Sequence, residues 1–283
     1  MRLVKRIESR AARKRRLQDE LQKKLTDTLE KLQVWKRNIT AAKYIRNEID
    51  INNGTSFIFT KENSPAGREY YNSFQKSPVT IDEFKRELLP QSTPFSNMSS
   101  FNACAIVGNG GILKNSFCGR EIDSHDFVMR FQLLNSSAEV ARFMVALNEY
   151  TGSLLWIPNS WAINTSVTFT TAKVVKEHSN LHMLLSDPEY FRRIGEHWRV
   201  DRLLSTGMML VSLGLTLCDE LHLYGFWPFT IDAKGETLPM HYTEDISWKT
   251  YRRSHDYPSE FKLLESLHHS GVLRLRVNEC IYH

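Results

Sequence analysis

Residues 104–123 read CAIVGNGGILKNSFCGREID. An apolar run with the pattern of a buried strand, residues 103–107, enters the turn Gly108-Asn109-Gly110-Gly111, with Cys104 before it and Cys118 after it. Glycines let a backbone come close to a phosphate and aim N–H groups at it. The turn is therefore a candidate phosphate cradle. It lacks the third spaced glycine of the dinucleotide fingerprint, and a tight strand-to-helix turn would use the same residues.

Outward from this turn, short apolar runs alternate with helical patterns. Strands are predicted at 126–131, 154–157, 220–226 and 273–277, the second closed by Pro158. Helical patterns occupy parts of 168–198, then 206–217 and 258–269. The last has proline in its first turn and Gly271 just past its end. The alternation predicts an α/β fold with a largely parallel sheet. Residues 51–103 carry turn signals such as Asn52-Asn53-Gly54 and Ser64-Pro65-Ala66-Gly67, and read as an irregular lead-in. Residues 1–50 place Leu17, Leu21, Leu25, Leu29 and Leu32 at helical spacing among Lys, Glu and Gln. This is a charged, stem-like helix that either docks through its seam or stands solvated. The organisation is thus a helical segment 1–50, a lead-in 51–103 and a main domain 104–283.

The chain of 283 residues carries a net charge of +5. Residues 1–37 hold about 13 of the 37 Lys and Arg and about 5 of the 32 acids, so the remainder has 24 against 27, a net of about −3. Basic character belongs to the N-terminus and does not describe the body, and no nucleic-acid partner is expected. The four cysteines, Cys104, Cys118, Cys218 and Cys280, show no CxxC and no zinc-like spacing. Two widely spaced disulfides and four buried thiols both satisfy that spacing. Five N-glycosylation patterns, at Asn38, Asn53, Asn97, Asn135 and Asn164, favour a lumenal protein. No signal peptide is legible. The longest uncharged stretch, 203–218, falls short of the ~20 residues of a membrane span. The pointers are to the secretory pathway, with any membrane anchor lying outside this sequence.

Two further constellations can carry chemistry. Ser205-Thr206-Gly207 opens the apolar helix at 206–217, where hydroxyls cap N–H groups and can also hold an anion. His241-Tyr242-Thr243-Glu244 and His255-Asp256-Tyr257-Pro258-Ser259-Glu260 supply two histidines able to act as base and as acid or phosphate partner near neutral pH.

Taken together, these elements resemble the animal sialyltransferases, glycosyltransferase family 29. Residues 104–133 look like the large sialylmotif, and 204–229 like the small one. His241-Tyr242 sits at the third motif, and His255 with Glu260 fits the final His-x4-Glu. The wording of 104–128 resembles the α-2,8 branch, and Trp35-Lys-Arg-Asn-Ile-Thr resembles its stem-side start. The resemblance implies a variant Rossmann-like, GT-A-like fold and an inverting, metal-independent enzyme without cofactor. It would transfer sialic acid from CMP-sialic acid to a sialylated glycoprotein or glycolipid in the Golgi lumen, as a type II membrane protein. It implies that Asn109 and Gln132 contact the donor and that Ser205, Thr206 and Gly207 hold its phosphate and ribose. Trp227 would line the cytidine side. His255 would be the general base and His241 would stabilise the departing phosphate. It also implies the pairings Cys104–Cys218 and Cys118–Cys280.

Three departures from the family pattern stand out. Arg130-Phe131-Gln132 replaces Arg-Cys-Asn, and Met240-His241-Tyr242-Thr243-Glu244 replaces His-His-Tyr-Tyr-Asp. The chain is also shorter by roughly thirty residues between 133 and 153, about one strand–helix–strand unit. This would cost the sheet a member unless residues 138–147 repair it. The shortening supports an alternative, a catalytically degenerate homologue that binds glycan or partner without turnover. A nicotinamide-dependent Rossmann enzyme would place an acid about 20 residues past the turn. Asp123 and Asp126 fit that loosely, and it leaves the cysteines and His255 unexplained. The mixed charges of 173–202 favour mono- or oligosialylation over polysialylation.

Overall fold

The computed structural model of the chain describes residues 10–53, 57–72, 76–95, 100–130, 154–159, 165–200, 202–232, 234–242, 248 and 255–280. Its centre is a parallel four-stranded sheet of order β4-β3-β7-β8. The strands are β3 (Phe101–Val107), β4 (Phe127–Arg130), β7 (Cys218–Tyr224) and β8 (Arg274–Arg276). β3 is buried on both faces. Cys104 and Ile106 enter the main core, while Ala105 and Val107 pack on the other side with Cys118, Ile122, Tyr224 and Cys280. A strand covered on both faces reads as a continuous apolar run, which is what the sequence has there.

The helix α7 (Thr206–Leu217) covers one face, with Met208 to Leu215 buried. A helix apolar all round is a core helix. α8 (Tyr257–His269) follows, with Pro258 in its first turn and Asp256 capping Ser259 N–H. Both match the predicted ranges closely.

Three features differ from the expectations. First, the N-terminal segment is two helices, α1 (Arg10–Gln33) and α2 (Ile39–Asn53). Leu25, Leu29, Leu32 and Ile49 are buried in the same core as β3 and β7, so the apolar seam of α1 is docked from Leu21 onward, while Leu17 stays exposed. Arg46 reinforces the docking with Nε to Leu215 O at 2.9 Å. Second, residues 57–72 and 76–95 carry regular elements where an irregular lead-in is expected. β1 (Glu69–Asn72) and β2 (Ser77–Thr80) form an antiparallel hairpin followed by the short α3 (Glu83–Glu87). Third, the stretch 168–198 contains a strand. α5 (Thr165–His178) leads into β6 (His182–Leu185), which pairs in parallel with β5 (Leu154–Ile157) before α6 (Pro188–Trp198).

Hairpin, α5, β5 and β6 share a second core of Phe59, Tyr70, Ile81, Phe169 and Leu185. Among the described residues, β5–β6 is a sheet of its own beside the four-stranded one. The segment joining β4 to β5, with the proposed repair at 138–147, lies outside the described residues. No helix among the described residues is long and apolar enough to cross a membrane.

Candidate active site

In an open parallel sheet, ligands bind beyond the carboxyl ends of the strands. β3 and β7 are neighbours in register, Val107 opposite Tyr224, so their following loops meet. Gly108 N–H donates to Tyr224 O at 2.8 Å and Gly110 N–H to Gly225 O at 3.0 Å. A third segment joins them: Gly111 N–H donates to Met240 O at 3.3 Å, Tyr242 N–H donates to Asn109 O at 3.0 Å, and Gly110 bridges His241.

These bonds change the reading of the glycines. The N–H groups of Gly108, Gly110 and Gly111 go to protein carbonyls. A Cβ on Gly110 would stand 2.4 Å from Gly225 O, and one on Gly111 2.1 Å from Pro239 O. The glycines are required because three loops pack backbone against backbone. Among the described residues the half-buried Asn109 amide has no hydrogen-bond partner, so it is the group of this turn left for a ligand.

The N-terminus of α7 lies alongside. Ser205 caps it, its Oγ accepting from Met208 N–H at 3.2 Å. Among the described residues no acceptor meets the N–H of Thr206 or Gly207. The positive end of the helix dipole and two open donors thus coincide, as at an anion site. Phe226 joins this end to the glycine turn. Its ring is 3.3 Å from a Cβ built on Gly108 and 2.8 Å from one built on Gly207.

The final motif closes the arrangement. His255 Nδ1 lies 2.8 Å from Leu203 O. A carbonyl only accepts, so Nδ1 carries the proton in the neutral ring and Nε2 keeps its lone pair, the state of a general base. One turn on, Glu260 is 4% exposed and its Oε1 accepts from Ser205 N–H at 2.7 Å. Burial pushes this carboxyl up to about 7 against the pull of its bonds to Ser205. His255 and Glu260 therefore both grip the 203–205 segment that leads into α7.

Backbone bonds, the Phe226 ring and the His255–Leu203 bond join the segments that carry Asn109, Ser205, Thr206, Gly207, His241 and His255. The structure does not bring in the Trp227 side chain, which is 3% exposed. Its indole N–H donates to Ile231 O at 2.9 Å and its ring packs on Phe229 and Phe261. Trp227 is a core residue, and the half-buried Phe226 is the ring that faces the loops. Gln132 lies outside the described residues. So do Asn97, Asn135 and Asn164. Asn53 ends α2, and Asn38 is exposed, its Oδ1 accepting from Ala41 N–H at 3.0 Å. No cluster of three metal-ligating side chains occurs among the described residues.

The cysteines are fully paired. Cys104–Cys218 spans 114 residues with Cα atoms 6.0 Å apart, and Cys118–Cys280 spans 162 with Cα atoms 4.9 Å apart. The first ties β3 to the end of α7, and the second ties the segment after the glycine turn to the chain beyond β8. Phe226 and the Leu203 and Ser205 anchors are site features that the sequence reading missed.

Comparison with known proteins agrees with this arrangement. The model of glycosyltransferase family 29 (sialyltransferase) matches residues 50–144 and 133–272, two stretches that overlap where the shortening is expected. An alpha-N-acetylneuraminide alpha-2,8-sialyltransferase of Bos taurus is 32% identical over 288 aligned positions, covering 87% of this chain and 79% of that protein. Since 87% of 283 residues is about 246, roughly forty aligned positions of the bovine protein have no counterpart here. The protein of the same name in Xenopus tropicalis is 34% identical over 79% of this chain and 74% of its own length. A crystal structure of a mammalian sialyltransferase shares the fold, with a TM-score of 0.56 at 21% identity over 86% of this chain and 96% of that one. The chain belongs to glycosyltransferase family 29, the sialyltransferases.

Proposed function

We propose that the protein transfers sialic acid from CMP-sialic acid to a glycan that already ends in sialic acid, making an α-2,8 linkage with inversion and without a metal. The observation that carries this reading is the meeting of an open helix N-terminus with a histidine whose Nε2 is free to take a proton. The donor phosphate would rest on the Thr206 and Gly207 N–H groups, with Asn109 bonding the nucleotide. His255 Nε2 would remove the proton from the acceptor hydroxyl as its oxygen bonds the anomeric carbon. The bond from that carbon to the phosphate oxygen breaks, and CMP leaves with the electron pair. The helix end and His241 would stabilise the charge that develops there. A single displacement of this kind inverts the anomeric centre. Cytidine would lie against Phe226, whose ring borders both loops, in place of Trp227.

The acceptor, glycoprotein or glycolipid, would be met in the Golgi lumen. The test is transfer to an α-2,3-sialylated oligosaccharide beside the same oligosaccharide with its sialic acid removed. The proposal expects product from the first only, sensitive to an α-2,8-cleaving sialidase. Equal transfer to the desialylated acceptor would overturn the α-2,8 assignment. Donor binding without transfer to either would favour the degenerate homologue.

A further inference from the structure

Glu260 has a surrounding that packing alone does not account for. It is 4% exposed, and among the described residues no cation acts on it. A carboxyl buried without a counter-charge is costly and tends to carry a proton. Its hydrogen-bond partner is the backbone N–H of Ser205 at 2.7 Å, with the Ser205 side chain beside it. The next two N–H groups along the chain, those of Thr206 and Gly207, are the open donors at the N-terminus of α7.

We propose that Glu260 is a positioning residue that binds a proton when the donor's phosphate settles on the N-terminus of α7. This rests on the reading that the phosphate binds there. An anion arriving one or two residues from a buried carboxylate repels it, and the carboxylate relieves the repulsion by taking up a proton. The neutral acid still accepts from Ser205 N–H and can donate to the Ser205 hydroxyl. The grip on residues 203–205 therefore survives the change of charge. So does the link between that segment and His255, which hangs on Leu203 O at 2.8 Å.

Among the described residues the charged groups around Glu260 are few. Asp256 on the same helix adds negative charge and raises the carboxyl further. His255 is the titratable ring bonded to the 203–205 segment. α7 contributes no ionisable side chain from Thr206 to Leu217. The carboxyl already sits at about 7 without ligand, so any upward push moves its proton occupancy in the neutral range.

The experiment is calorimetric titration with CMP-3-fluorosialic acid and no acceptor, in buffers of different ionisation enthalpy, from pH 6 to pH 8. The phosphodiester and carboxylate of this probe stay ionised throughout. Wild type is expected to take up a sizeable fraction of one proton per ligand near pH 7.5. Its affinity should weaken severalfold from pH 6 to pH 8, with about tenfold per pH unit as the ceiling. Glu260→Gln keeps an acceptor for Ser205 N–H and cannot titrate. It should lose that uptake, bind with a flattened pH dependence, and hold the probe at pH 8 at least as tightly as wild type. A purely structural role predicts weaker binding by Glu260→Gln at every pH. That result, equal uptake in both proteins, or no uptake by wild type would each overturn the proposal. If Glu260→Gln does not fold, absence of uptake by wild type still overturns the proposal, and uptake must persist in His255→Gln and His241→Gln to be that of Glu260. Failure of wild type to bind the probe at all would instead overturn the reading of the cradle, and this inference with it.

Discussion

Two glycines of the same motif should respond to alanine with opposite signs. Gly110 has φ −58° and ψ 142°, a backbone that alanine adopts freely, so Gly110→Ala brings no torsional penalty. What it meets is Gly225 O at 2.4 Å, with Gly225 C at 3.2 Å and Trp227 N at 3.5 Å behind it. These are backbone atoms, held by the Gly110 N–H bond and by a left-handed Gly225 at φ +77°. They cannot swing aside as a side chain would. Forcing an extra carbon into such a contact costs about 1–3 kcal/mol, offset by about 0.4–1 kcal/mol from the stiffer unfolded chain. The net is a loss of roughly 1–2 kcal/mol, or about 2–8 °C in Tm at about 2–4 °C per kcal/mol. Gly119 opens the short helix α4 (Gly119–Asp123), and a Cβ there meets nothing within 4 Å. Gly119→Ala should keep the gain of about 0.4–1 kcal/mol. The assay is thermal unfolding of ligand-free protein with both disulfides intact. If Gly110→Ala melted at or above wild type, the loop-packing account would fail and the glycine would be there for the ligand alone.

Other outcomes follow from the packing and the crosslinks. With Cys118–Cys280 intact, Cys104–Cys218 closes a loop of roughly 76 residues, so Cys104→Ala with Cys218→Ala should cost about 4.5 kcal/mol in the chain-entropy model, read from urea unfolding. Leu25→Ala should cost about 2–5 kcal/mol, because Leu25 is 1% exposed within the main core; a loss below about 0.5 kcal/mol would mean that α1 is not docked in solution. His268 is held down at about 4, first by burial and then by His269, and its Nδ1 accepts from Leu275 N–H at 3.0 Å. The unfolded chain therefore binds that proton more readily. The contribution is intact above pH ~6.5 and is lost as pH falls towards about 4, with a slope of up to ~1.4 kcal/mol per unit. His268→Asn, which keeps an acceptor there, should show a smaller drop in urea midpoint between pH 7 and pH 5 than wild type does.

Legibility in the sequence followed the range of the forces involved. α7 and β5 occur at their predicted residues because each is set locally, by a capped apolar run and by a run closed with proline. β6 escaped because His-Met-Leu-Leu is a short apolar run, and periodicity cannot separate such a run from a helix turn. The break between α1 and α2 has no glycine or proline to announce it. Its signal is Asn38, which caps α2 through Oδ1 and also fits a glycosylation pattern. In Gly-Phe-Trp-Pro the sequence offers two adjacent rings, and only the packing of Trp227 on Phe229 and Phe261 decides which one turns inward. The Glu260–Ser205 and His255–Leu203 bonds join residues 55 and 52 positions apart and leave no local pattern.

The central claim is that this shortened chain still assembles a working transferase around His255. The measurement is CMP release from CMP-sialic acid, with and without an α-2,3-sialylated acceptor, by disulfide-bonded wild type and by His255→Ala. The account predicts acceptor-dependent release by wild type, reduced at least about a hundredfold in the variant, as removal of a general base requires. Acceptor-dependent release that survives His255→Ala, or none from folded wild type, would contradict it.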